Sequence, residues 1–137
     1  MLFLFFSFPI LPFFLHSFVF SQIYVHLTEI PTTQVLDLSD NDLRGGLPLE
    51  MTFECFAGLT HLVLSDNPHL GGTIPKSLPR NCPNLTVVQL HNAGIGGPLP
   101  PALISLLPQL KQLVVHDNLL TGPSPLTLLS GEAVHAG

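Results

Sequence analysis

From residue 32 onward the chain repeats itself, and that repeat restricts the fold more than any other feature. Four rows align: TTQVLDLSDNDLRGGLP from Thr32, GLTHLVLSDNPHLGGTIP from Gly58, NLTVVQLHNAGIGGPLP from Asn84 and QLKQLVVHDNLLTGPSP from Gln109. Corresponding positions are offset by 25 to 27 residues. In each row an apolar pair two residues apart (Leu36 and Leu38, Leu62 and Leu64, Val88 and Leu90, Leu113 and Val115) precedes Asn41, Asn67, Ala93 or Asn118. Leu43, Leu70, Ile95 and Leu120 follow, then Gly45, Gly72, Gly97 and Gly122, then Pro48, Pro75, Pro100 and Pro125. With a leading column of Thr33, Leu59, Leu85 and Leu110, only Thr33 and Ala93 depart from the expected residue type.

Elementary geometry accounts for the columns. Strict alternation around each apolar pair sends both members to one face of a short strand, where they pack on the same column of the next row. The Asn side chain carries a donor and an acceptor, so it serves backbone groups where the chain turns sharply out of the strand. Gly permits the bend that follows and Pro pre-sets an extended return. Stacked rows make a solenoid with a narrow, continuous core. Ala93 breaks the Asn column, and the sequence predicts an unmet polar group there, costing about 1 to 3 kcal/mol unless Asn92 or a water substitutes. The third repeat is therefore expected to be the softest. Pro68 and His69 lengthen the second row by one residue, which reads as a bulge outside the strand that leaves the ladder in register.

The unit L-x-x-L-x-L-x-x-N-x-L resembles the leucine-rich repeat family, and the added L-x-G-x-x-P, seen at Leu43 to Pro48, resembles its plant-type extracellular subclass. The resemblance covers residues 32–128, because Met51, Leu78, Leu103 and Leu128 continue the register three residues after each Pro. It implies an α/β solenoid: a short curved array with a parallel β-sheet on the concave face and an irregular, 3-10 or short helical convex side. It also implies extracellular recognition of a protein or peptide. The array stops in mid-repeat, leaving residues 129–137 as a C-terminal tail.

The segment before the repeats differs in kind. Eight of the ten Phe fall within the first 21 residues, and no charged side chain precedes Glu29. Residues 1–21 read as a signal peptide or an uncleaved signal anchor. Pro9 and Pro12 would each remove a helical hydrogen bond, which a secretory apolar region tolerates better than a membrane span. Val19 and Ser21 suit a cleavage site before Gln22. Residues 22–31 form an N-terminal edge segment in which Ile23, Val25 and Leu27 alternate as a strand would. Secretion or attachment at the cell surface through the secretory pathway follows, with membrane contact only through the N-terminal segment.

Composition narrows the function classes. A chain of 137 residues is one domain, and 9% charged residues is far below the usual quarter or so. Four Lys and Arg against nine Asp and Glu give a net charge of −5 and no basic patch to track a phosphate backbone, so nucleic acid is excluded as a partner. The motifs G-x-S-x-G, H-E-x-x-H and G-x-x-x-x-G-K-[ST] are all missing from the sequence, and a shallow sheet lacks the enclosed pocket that acid–base catalysis needs. The chain is read as a non-enzyme, with no catalytic residues, no cofactor and no metal.

The positions flanking the strand apolar pairs face outward in such a fold and are the candidate ligand contacts: Val35, Asp37, His61, Val63, Val87, Gln89, His91, Gln112, Val114 and His116. Asn41, Asn67 and Asn118 form the structural ladder. His91 and His116 should be neighbours beside Asp117, which brings a shared metal or a proton-sensitive contact to mind; a strand-end capping role for these polar residues accounts for them better. Asn84-Leu85-Thr86 is a candidate glycosylation sequon. Cys55 and Cys82 occupy nearly equivalent places on adjacent rows, either as two buried thiols or as a disulfide. The alternative to a ligand-binding module is a structural or co-receptor element, or a truncated receptor fragment, whose open ends stack on a second leucine-rich repeat protein.

Overall fold

A computed structural model of the chain describes residues 2–5, 33–47, 58–105, 109–123 and 134–135. The strand of each row lies where the alternating pattern places it: β2 is Thr33–Asp37, β3 His61–Val63, β4 Val87–Gln89 and β6 Gln112–Val114. All pair in parallel, with Leu36 beside Leu62, Leu62 beside Val88 and Val88 beside Leu113. The ladder continues past each strand through Leu38 N to Val63 O, Leu64 N to Gln89 O and Leu90 N to Val114 O, at 2.8–2.9 Å. The extra residue of row two leaves this register unshifted, as its position in a turn beyond the strand requires. Parallel strands in sheets with few helices make a repeat solenoid-like α/β fold.

Two further strands, β1 (Leu2–Phe5) and β8 (Val134–His135), extend the main sheet to six among the described residues, in the order β1-β2-β3-β4-β6-β8. β1, Leu2–Phe5, pairs with β2, so part of the apolar leading segment adds to the sheet in this structure. β8, Val134–His135, pairs with β6, setting Val134 beside Leu113 and His135 beside Val114. Within residues 129–137, read from the sequence as a C-terminal tail, these two residues stand where a fifth strand would pair. An edge strand offers an unfilled row of backbone donors and acceptors, which a short extended segment satisfies without a full repeat. The edge strand expected at Ile23, Val25 and Leu27, the boundaries of the leader, and Cys55 all lie outside the described residues.

The core is the set of columns. Leu36, Leu38, Leu62, Leu64, Val88, Leu90, Leu113 and Val115 are buried, as are Leu59, Leu85, Leu43, Leu70 and Ile95. One-turn helices close the back: α1, Leu78–Asn81, and α2, Pro101–Ser105, place Leu78 and Leu103 in the core at corresponding heights. Proline in the first turn suits both, because those N–H groups have no intrahelical acceptor. Cys82 is buried in the same core. Beyond the Asn column, among the described residues, a second parallel sheet of two strands forms, β5, Gly96–Pro98, beside β7, Leu119–Thr121. A bridge from Thr73 to Gly96 and a bond from Gly46 N to Leu70 O carry similar pairing back to the first row. The repeat pattern gives no hint of this second ladder, since one of its strands is Gly-Gly-Pro.

The Asn column works across rows. Asn67 is fully buried; its Nδ2 donates to Leu38 O of the preceding row and to Leu64 O and Ser65 O of its own, and its Oδ1 accepts from Leu43 N. Asn118 does the same two rows on, donating to Leu90 O, Val115 O and His116 O and accepting from Ala93 N and Ile95 N. A side chain at position 93 would therefore serve row two, at Leu64 O and Leu70 N. Both groups are already taken: Leu64 O accepts from Asn67 Nδ2, and Leu70 N donates to Asn67 O at 2.9 Å across the longer turn. The expected deficit in the third repeat is corrected accordingly. Asn92 is not the substitute, because its amide donates to Asp66 Oδ1. The residue inserted in row two and the Asn missing from row three offset one another.

Gly94 completes that exchange. It stands at φ +63, and a Cβ there would lie 2.6 Å from Pro68 O. Gly45, at φ +93, has nothing within 4 Å of its own Cβ position. We expect Gly45→Ala to cost about 1 to 2 kcal/mol, the left-handed conformation alone, and Gly94→Ala about 2 to 5 kcal/mol, because overpacking adds to it. Asn67→Ala, which strands several buried backbone groups, should cost about 3 kcal/mol. Urea unfolding of the three variants checks the order; equal costs at the two glycines would mean that Pro68 does not press on Gly94.

Candidate ligand-binding face

Strand alternation turns two columns away from the core. The first runs Val35, His61, Val87, Gln112 and the second Asp37, Val63, Gln89, Val114, each in register across β2, β3, β4 and β6. All are half-buried except Val114, which is only 8% exposed. Val114 is thus too buried to serve as a main contact. The first column is tied at its second position, where His61 Nδ1 lies 2.8 Å from Thr60 Oγ1. In the second, Asp37 Oδ1 accepts from Ser39 N and from Ser39 Oγ, fixing the carboxylate against the strand end.

Where the strands end, His91 and His116 meet as the spacing predicts, stacked with ring centroids 4.8 Å apart and planes 18° apart. His116 Nδ1 lies 2.7 Å from Asp117 Oδ2, and His91 Nε2 lies 3.5 Å from Asp66 Oδ2. Nδ1 of His91 is buried and meets no hydrogen-bond partner, while Nε2 is the ring nitrogen that faces Asp66. Stacked rings present faces to one another, so their lone pairs do not converge on a shared ion. Among the described residues no group of three or more His, Cys, Asp and Glu forms a metal-holding cluster.

The next column holds a feature that the sequence shows but that goes unread in the pattern of leucines. Asp40, Asp66, Asn92 and Asp117 all sit in the left-handed region, at φ 49 to 58. Their N–H groups carry the ladder onward, Asp40 N to Ser65 O, Asp66 N to His91 O and Asn92 N to His116 O. Asp and Asn tolerate this conformation better than other non-glycine residues. Four such residues in one column were the available signal. They turn the chain out of every strand in the same direction and so align the outward columns.

Elsewhere, an ion cluster links rows one and two. Asp42 accepts from Arg44 Nη2 at 3.1 Å and faces His69 Nδ1 at 2.6 Å. The His69 bond holds the Asp42 carboxyl below its ordinary 3.8; burial, the next effect in size, works against it, and the Arg44 guanidinium lowers it further. An open groove of about 560 Å³ lies between rows two and three, lined by residues 73–77 and 98–101. Its wall is mostly Pro, Ile and Leu, and Lys76 is its one charged group, so it holds no acid–base pair. Asn84 is exposed in the turn before Leu85. Among the described residues no helix is long and apolar enough to cross a membrane.

A family model described as Leucine Rich Repeat matches residues 32–53, which span the first row. No curated protein matches the chain. The match supports a leucine-rich repeat protein, in keeping with the four registered rows.

Two measurements test this geometry. Removing one ring, by His91→Ala, should move the His116 ring protons downfield in the NMR spectrum as ring-current shielding is lost. In a carbon-detected titration Asp42 should titrate below 3.8, and His69→Gln should raise its midpoint. The sign follows: Asp42 contributes stability above pH 3.8 and loses it as pH falls through the lowered value. Because Arg44 and Asp42 are 37% and 38% exposed, that contribution is small.

Proposed function

We propose that the chain is an extracellular or membrane-associated recognition module that binds a protein or peptide ligand through the outward face of its main sheet. The observation that carries this reading is the pair of registered columns, Val35, His61, Val87, Gln112 and Asp37, Val63, Gln89, in which apolar and polar groups alternate on a half-buried surface. The leucine-rich repeat match supports a protein–protein interaction module in general. The L-x-G-x-x-P extension supports the plant-type extracellular subclass, and the apolar residues 1–21 support passage through the secretory pathway as a signal peptide or anchor. A sheet of so few rows offers less than the roughly 800 Å² per partner of a standard interface, so affinity is modest or completed by a larger assembly.

A second reading rests on a separate observation. Leu119 is 72% exposed on β7, the outer strand of the second sheet among the described residues. An apolar residue on such an edge suits stacking against another repeat protein.

The two readings part experimentally. Peptides selected from a random phage-displayed library on the wild-type chain should lose at least about tenfold in affinity on Val63→Asp or Gln89→Ala. Lys76→Ala, in the groove between rows two and three, should leave them unaffected. Sedimentation velocity should show a monomer; concentration-dependent association abolished by Leu119→Lys would instead favour stacking.

A further inference from the structure

We propose that Asn84 carries an N-linked glycan placed where the strands begin, so that it flanks the recognition face without covering it. This rests on the secretory reading above. The chain has six Asn, and only Asn84 heads an N-x-[ST] triplet, Asn84-Leu85-Thr86. Asn84 stands exposed, after the exposed Pro83, in the turn that leads from the helical back into β4.

Thr86 alone would be weak support, because packing explains it. Its Oγ1 donates to Thr60 O at 3.2 Å, and Thr60 Oγ1 donates to Gln34 O in the row before. Thr60 has no Asn two residues ahead; Gly58 stands there, and Gln109 occupies the position in row four. The fold thus accepts quite different residues where row three has Asn, and it sets that residue beside solvent. Leu85 is fully buried, so the turn is anchored and the Asn84 side chain is held outside the core. The outward columns begin only at Val87, and the His91–His116 stack lies at the other end of the strand. A ligand therefore reaches the face over the His and Asp end.

The transfer balances simply. Asn84 Nδ2 attacks the anomeric carbon of a polyprenyl-diphosphate-linked oligosaccharide. The anomeric C–O bond breaks, the polyprenyl diphosphate departs with the bonding pair, and Nδ2 loses one proton. The product is a neutral N-glycosidic amide, so the net charge of the chain is unchanged.

The full chain should be translated in vitro with microsomes, and each sample divided between protease protection and peptide-N-glycosidase treatment. A protease-protected chain heavier by one glycan, which the glycosidase removes, is the expected result. Asn84→Gln and Thr86→Ala should lose the added mass, while Thr86→Ser should keep it. The modification occurs on the nascent chain, so a folding defect in a variant does not confuse the readout. A protected chain without glycan would overturn the proposal and leave the secretory reading standing; an unprotected chain would overturn both. Phage-selected peptides that depend on Val63 should bind the glycosylated and deglycosylated chain equally, and masking by the glycan would overturn its placement beside the face.

Discussion

The turns of rows one and three are each completed by an asparagine of the row that follows. Asn67 fills the donor and acceptor needs of the Leu38 to Leu43 turn, and Asn118 fills those of the Leu90 to Ile95 turn. A buried backbone group without a partner is costly, so a single row has no reason to hold its shape in isolation. Burial adds to the same dependence, because the apolar pair of one strand finds its contacts on the pair of the next. Cooperativity here is a matter of nearest neighbours, and it runs along one direction of the stack.

The strand face inherits its regularity from that dependence. Parallel pairing without a shift from β2 to β6 keeps like positions in columns, and the left-handed Asp and Asn residues turn every strand out at the same point. A ligand thus meets rows that differ in side chain but not in backbone path. Specificity can change by substitution at Val63 or Gln89 while the backbone hydrogen bonds that hold the strands remain as they are. The His91–His116 stack shows the same logic, since neither ring finds the other until rows three and four are in register.

Much of this was legible because leucine spacing and strand alternation are strong periodic signals, and Leu36, Leu62, Val88 and Leu113 lie side by side as that spacing requires. The outward columns were legible for the same reason, although the burial of Val114 was not, because it accompanies a neighbouring strand that the repeat pattern does not include. The second sheet was hidden by one of its strands: Gly and Pro carry little strand preference, and Gly96–Pro98 pairs with Leu119–Thr121 through position in the stack. The error at Ala93 came from reading each row by itself. An Asn column that serves the preceding row makes the loss at 93 a question about row two, where the Asn67 carbonyl answers it.

The pairing of Pro68 with Gly94 makes rows two and three a single heritable unit. Repeat arrays lengthen and shorten by unequal recombination, which copies or removes one period at a time. Here a crossover that brought the longer second row against a neighbour with a side chain at the Gly94 position would drive the Pro68 carbonyl into a Cβ atom. One that set Ala93 above a row of ordinary length would leave that row's turn without its Asn. Duplication or loss is tolerated most easily in steps that keep the two rows together, so a lineage descended from this chain should carry the inserted proline and the missing asparagine as a linked pair.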